Sequence, residues 1–461
     1  MKLIKSIIVL LSLMISSLSA IADVTFVTGK VNGGQGLVIR LMSYADQVTY
    51  LRKTLDSETI GEDGSFRLKA DLQKTIYAWI DIEFRQSDIY IQPGKLYEVE
   101  IDLSRSSLST SYYDRSPLPM TILTDDPDHL NIYIRDFNSL YNDFMLNYAA
   151  NMRASGSSGA YNAFRTAIDM RFKNAQNPYF LDYVKYKSAS VEMFLRLKSR
   201  DKAGLEYLTG QPLALENVEY MDYFNLFFEK YFISGSKYFS YNKTYDMING
   251  GAGLEAFIDS LDADPVLHDI GLKELLLLSG LKELYQVSGF NRERIIGLVK
   301  GLSETAVSPE LRNIASDVLQ QFQRLKPGSA APDFRLPAVE GGRDYTLADF
   351  RGKYVYLAFF DSRNPASQAE LAMIGGLYKD FKDKVNFVAI SVDRDPAVIA
   401  GNPNIPPGTW QVLYYNKDLD LLERYDAIAY PYFILIDQEG RIVNCPAPSP
   451  SEDISKTLSS I

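Results

Sequence analysis

"YLAFFDSRNPASQAEL", Tyr356–Leu371, decides how the C-terminal part of this chain is read. The run from Tyr356 to Phe360 is apolar and aromatic, the composition of a strand covered on both faces. Asp361, Ser362 and Arg363 break the run. Asn364 then stands where its side chain can accept hydrogen bonds from the free N–H groups of a helix, and Pro365 has the fixed φ that suits a first helical position. A helix over "PASQAELAMIGGLYKDF" follows. Reading outward, "VNFVAISVD" and "WQVLYYN" are strands, "LDLLERYD" is a helix, "YFILIDQEGRIVN" is a hairpin and "SEDISKTLSSI" is a terminal helix. Strands this apolar, alternating with helices, predict a mixed sheet covered on both faces. Lys326-Pro327-Gly328 marks its start, so an α/β domain is expected over 326–461.

These residues resemble the exported thioredoxin-like proteins of the TlpA/ResA and redoxin type. Four phrases carry the resemblance in order: "PGSAAPDFRL", "YTLADFRGKYVYLAFF", "VNFVAISVD" and "AYPYFILIDQEGRIV". The resemblance implies a thioredoxin-like fold, with a Cys-x-x-Cys motif at the start of the first long helix. Laid over that pattern, Asn364 and Ser367 fall on the two cysteine positions. The family's chemistry needs sulfur there: a thiolate stabilised by the helix N-terminus attacks a disulfide, and a second thiol resolves the mixed disulfide. Neither an amide nor a serine hydroxyl can do this, and a peroxidatic cysteine in the same helix is equally absent. Tyr430-Pro431 matches the family's cis-proline step, which implies a groove formed by Asn364, Pro365, Ser367, Tyr430 and Pro431. Cys445, the one cysteine of the chain, matches neither catalytic position and is expected to be a free, partly buried thiol.

Upstream, the period of the apolar residues changes twice. From Asp23 to about Asp102, "TFVTGKV", "GLVIRLMSY", "GSFRLKADL", "IYAWIDIEF" and "YEVEID" alternate as strands, with Glu62-Asp63-Gly64 and Gln92-Pro93-Gly94 as turns. An antiparallel β-sandwich domain over 23–120 is expected; it resembles the small sandwich that often precedes thioredoxin-like domains in exported bacterial proteins. Past the polar "SRSSLSTSYYDRSPLP" the period becomes helical. Ile134, Phe137, Leu140, Tyr141, Phe144 and Tyr148 share one face, and similar patterns at 160–173, 178–198, 217–233, 270–286, 291–303 and 308–324 predict an α-helical middle domain over 121–325. Ser308 caps the last of these, with Pro309 as its first residue. The ring-rich segment from Tyr220 to Tyr245 reads first as a buried helix face, and second as a ligand surface whose later tyrosines lie exposed.

The first 22 residues have the form of a cleavable export signal: Lys2 and Lys5, an apolar run from Ile7 to Ile15, and Ala20-Ile21-Ala22 before Asp23. The apolar run is shorter than the roughly 20 residues of a membrane span. No cysteine stands at the cleavage point, so a freely soluble, periplasmic protein without a transmembrane anchor is expected. Loss of the two lysines leaves 46 basic residues against 58 acidic ones, a formal charge of −12. That field, without any basic stripe, excludes nucleic acid as a partner. His129 and His268 have no second nitrogen ligand nearby, and "GGAG" at 250–253 lacks the Lys-Ser/Thr of a phosphate loop, so neither a metal nor a cofactor is expected. Three functions remain. The first is a redox-inactive binding or assembly module with a protein or peptide partner in the exported compartment. The second is thiol-disulfide chemistry through Cys445, and the third is peptide or carbohydrate binding.

Overall fold

The computed structural model describes residues 23–82, 85–103, 117–340, 342–393, 396–399, 402, 404–405, 410–416, 418–427 and 429–461. The expected export signal lies outside the described residues, as does most of the polar stretch at 104–116. Contacts divide the chain into two compact units, one up to Leu319 and the other from Gln320 to Ile461.

The first unit begins with two four-stranded sheets. One has the order β4 (Ser65–Leu72), β1 (Asp23–Asn32), β7 (Leu96–Asp102), β8 (Met120–Leu123). The other has the order β3 (Arg52–Thr59), β2 (Val38–Tyr44), β5 (Ile76–Ile82), β6 (Arg85–Ile91). Strict alternation of buried and exposed residues along β4 sends Phe66, Leu68, Ala70 and Leu72 inward. They join Val27, Val31, Ile39, Leu41, Ile80 and Ile89 in one core fed by both sheets. One expectation is corrected here: the strands are not uniformly antiparallel, because β1 runs parallel to β7 from Phe26↔Leu96 to Asn32↔Asp102. The close approach of these strands requires glycine at position 29, where a Cβ would stand 1.8 Å from the Val99 carbonyl oxygen.

Helices follow: α1 (Leu130–Arg171), α2 (Pro178–Phe194), α3 (Arg200–Tyr207), α4 (Val218–Phe227), a π-helical turn at Tyr231–Gly235, α5 (Tyr241–Asn249), α6 (Leu254–Ser260), α7 (Ile270–Leu284), α8 (Arg292–Thr305) and α9 (Pro309–Gln323). The apolar face predicted around Ile134, Phe137 and Phe144 packs with Phe164, Phe180 and Tyr183 of α1 and α2. Helix α1 is kinked at Gly156, whose φ of 71° only glycine adopts at no cost. Asn131 of α1 accepts from the Tyr90 N–H at 2.7 Å and donates to its carbonyl at 2.8 Å, which occupies the open edge of β6 as another strand would. Ser308 caps α9 through the Leu311 N–H, as its sequence predicts.

The second unit holds a five-stranded sheet ordered β13 (Gln411–Tyr414), β12 (Val385–Ser391), β11 (Tyr354–Phe360), β14 (Tyr432–Ile436), β15 (Ile442–Asn444). A short hairpin, β9 (Arg335–Pro337) and β10 (Asp344–Thr346), precedes it. Strand β11 pairs parallel with β12 and antiparallel with β14, so it is the central strand. Helix α10 (Pro365–Phe381) leaves directly from its C-terminal end, and α11 (Leu419–Arg424) and α12 (Ile454–Ser459) follow later in the chain. This is the thioredoxin-like fold, and its central strand is buried throughout except at Tyr354.

Candidate functional site at the start of the central helix

Asn364 sits at the N-cap of α10 with extended backbone, φ −80° and ψ 117°. Its Oδ1 accepts from the N–H groups of Ala366 at 2.8 Å and Ser367 at 3.3 Å. Pro365 occupies the first helical position, where its missing N–H costs nothing. Helix N–H groups can only donate, so the amide oxygen must face the helix and the amide nitrogen must face away from it. That nitrogen donates to the Tyr430 carbonyl at 3.0 Å. One side chain therefore ties the helix start to the residue before the cis Tyr430-Pro431 bond. The expected groove residues are thus brought together, with the carbonyl of Tyr430 already engaged from within the chain.

Ser367, one turn into the helix, is fully buried. Its hydroxyl has no hydrogen-bond partner among the described residues. A buried, unpaired hydroxyl costs about 1–3 kcal/mol, whereas a thiol at the same place, a weak donor and a small hydrophobe, loses far less.

A second layer of polar groups lies where β11 and β12 end. Asp393 is buried and accepts the Ser362 hydroxyl and the Ser391 hydroxyl, both at 2.6 Å, together with the Ser362 N–H at 3.1 Å. Gln368 of α10 donates to the Ser362 carbonyl at 2.7 Å and accepts from Asn404 at 2.7 Å. Asp361 stands beside this network; burial, with the neighbouring Asp393 charge, raises its carboxyl above the usual aspartate range. Sequence reasoning singled out none of these residues as a site. The available signal was that "FFDS" and "ISVD" end adjacent parallel strands, the edge at which open α/β sheets place ligands.

Cys445 follows β15, two strands from β11, and is a free, half-buried thiol. Its sulfur lies 3.4 Å from the Tyr432 hydroxyl. Burial pushes the thiol up, against a lowering by the Tyr432 hydrogen bond, so the thiolate needed for exchange is disfavoured. Among the described residues no group of three or more His, Cys, Asp or Glu side chains is arranged to hold a metal ion. His129 precedes α1 and packs edge-on against Tyr97. The rings from Tyr220 to Phe232 are buried, as is Phe239, while Tyr241 and Tyr245 are exposed and lie against Phe290. No helix among the described residues is long and apolar enough to cross a membrane.

Residues 327–445 match the AhpC/TSA family. A thiol-disulfide oxidoreductase ResA of Geobacillus thermodenitrificans is 29% identical over 136 residues, which are 29% of this chain and 77% of that protein. The ResA protein of Bacillus subtilis is 29% identical over 122 residues, 26% of this chain and 67% of that one. Among solved structures, the thioredoxin domain of a thiol-disulfide oxidoreductase from Bacteroides vulgatus is 26% identical, covering 30% of this chain and 98% of that one, with a TM-score of 0.27. A thioredoxin-like protein from Bacteroides caccae is 19% identical, covering 53% of this chain and 81% of that one, with a TM-score of 0.32.

Proposed function

We propose that this chain, whose C-terminal part is a redoxin domain related to thiol-disulfide oxidoreductases, does not exchange disulfides and works as a binding or assembly module. The observation that carries this reading is the double use of the Asn364 amide, which caps α10 and holds the Tyr430 carbonyl at 3.0 Å. A reactive thiol would have to be free to meet its substrate at this point. Here an unreactive amide fills the position with every polar atom committed, and the second position is a serine. Under this reading the protein is exported through residues 1–22 and acts outside the cytoplasm on a protein or peptide partner. Its organisation is then a sandwich over 23–120, a helical domain over 121–325 and the redoxin domain over 326–461. The common core of the two N-terminal sheets supports the sandwich.

The test is reduction of insulin disulfides by the full chain beside a Cys445→Ser variant, with a ResA-type protein as the active control. The expected result is no turnover above buffer for either form. Turnover that disappears in Cys445→Ser would overturn the reading in favour of chemistry at Cys445, and turnover retained in that variant would overturn it outright.

A further inference from the structure

We propose that a cavity in the first unit, between the loop after β2, helix α4, the π-helical turn and helix α7, binds a small carboxylate carrying an aromatic or branched aliphatic body. The cavity measures about 460 Å³, within the range of small-ligand sites. Phe224, Phe228 and Tyr50 are among its lining residues, as are Ser279 and Lys282, whose side chains carry donors.

Those two donors are the reason for a carboxylate. Lys282 places Nζ 2.6 Å from the Val48 carbonyl oxygen and 6.0 Å from the centre of the Tyr50 ring. An ammonium has three N–H bonds, and the Val48 carbonyl uses one. Lys282 forms no ion pair among the described residues, and burial lowers its pKa, opposed by the charge of Asp46. Ser279, three residues earlier on the same helical face, has a buried hydroxyl without a partner. A carboxylate supplies acceptors for both groups and a direct ion pair for the half-buried ammonium, which Asp46 reaches only through its field.

The walls show construction rather than loose packing. Tyr50 and Lys230 both hold left-handed backbone, φ 54° and 50°, which side chains other than glycine adopt only under constraint. The Tyr50 hydroxyl is met by the Asn225 amide at 3.4 Å, and its loop is pinned by Asp46, which accepts from the N–H groups of Val48 and Thr49 at 2.7 and 2.6 Å. The π-helical turn is a rare form found often at functional sites. It presses Phe232 so close to α7 that a Cβ at Gly280 would lie 2.2 Å from the ring. Glu229 and Glu283 also line the cavity, offset by Lys230, and they make an amine the natural competitor.

The experiment is calorimetric titration of the full chain with 3-phenylpropionate, 3-phenylpropanamide and 3-phenylpropylamine. The expected order is carboxylate first, at least about tenfold tighter than the amide, with the amine weakest. Lys282→Met is expected to weaken 3-phenylpropionate about tenfold and Ser279→Ala about threefold, with melting curves like the parent's. If Lys282→Met does not fold, Ser279→Leu, which fills the cavity from α7, is expected to abolish binding in its place. Failure of 3-phenylpropionate to bind, preference for the amide or amine, or binding unchanged in both the Lys282→Met or Ser279→Leu arm and the Ser279→Ala arm overturns the proposal.

Discussion

Asn364 and Ser367 hold equivalent places in the motif but different places in the energetics. Asn364 is fully used, so Asn364→Ala removes a cap and the bond to Tyr430; a loss of about 1–2 kcal/mol in urea unfolding is expected. Ser367 is buried and unpaired, so Ser367→Ala is expected to stabilise the chain by up to about 1 kcal/mol in the same measurement. The double change Asn364→Cys with Ser367→Cys is expected to give a dithiol that oxidises to an intramolecular disulfide, read by thiol titration before and after oxidation. Asn364 was legible in the sequence as a helix start, because Asn-Pro before an apolar helix is a capping signal by itself, whereas Ser367 stood out only through the resemblance to the family's motif. The bond from Asn364 to Tyr430 was not, since it joins residues 66 apart in the chain through a loop whose path no periodicity records.

Elements differ in how plainly their residues announce them. Strand β4 alternates without a break, and α9 opens on Ser308-Pro309, so both can be read directly. Strand β3, "RKTLDSET", carries mostly polar side chains because it lies at a sheet edge with little to bury, and an apolar pattern cannot reveal it. Helices α3, α5 and α6 are short, between 7 and 9 residues, and too brief to show a helical period. The parallel pairing of β1 with β7 is a matter of topology rather than of local pattern. It makes Gly29 decisive: Gly29→Ala forces a Cβ against the Val99 carbonyl, and a loss of at least about 2 kcal/mol in thermal or urea unfolding is expected. At the end of β11, Asp361 gives a pH signature. Its carboxyl is raised when folded, so the folded state binds that proton more tightly than the unfolded chain does. Stability is then expected to fall as pH rises from the ordinary value of 3.8 through the raised one, and Asp361→Asn should flatten that part of the pH–stability curve.

At the scale of the whole molecule, contacts divide the chain into two compact units, and the second is built around a central strand paired on both sides. A fragment spanning 320–461 is expected to fold by itself and to unfold in one cooperative step by circular dichroism, because its sheet and helices are supplied entirely from within that span. Charge acts at this scale too. The full chain carries a formal −10, so weak retention on anionic resins and on DNA is expected at low salt.

The amide bridge from Asn364 to Tyr430 also bears on chemical ageing. A pair of thiols keeps its state only while the surrounding redox poise allows, whereas an amide is indifferent to oxidant and reductant alike. Asparagine has its own weakness, the cyclisation in which the next backbone nitrogen attacks the side-chain carbonyl and releases ammonia. The residue after Asn364 is Pro365, whose backbone nitrogen carries no hydrogen and cannot close that ring. The same proline that starts the helix thus shields the amide from deamidation, and the junction it holds should outlast a dithiol in an oxidising compartment.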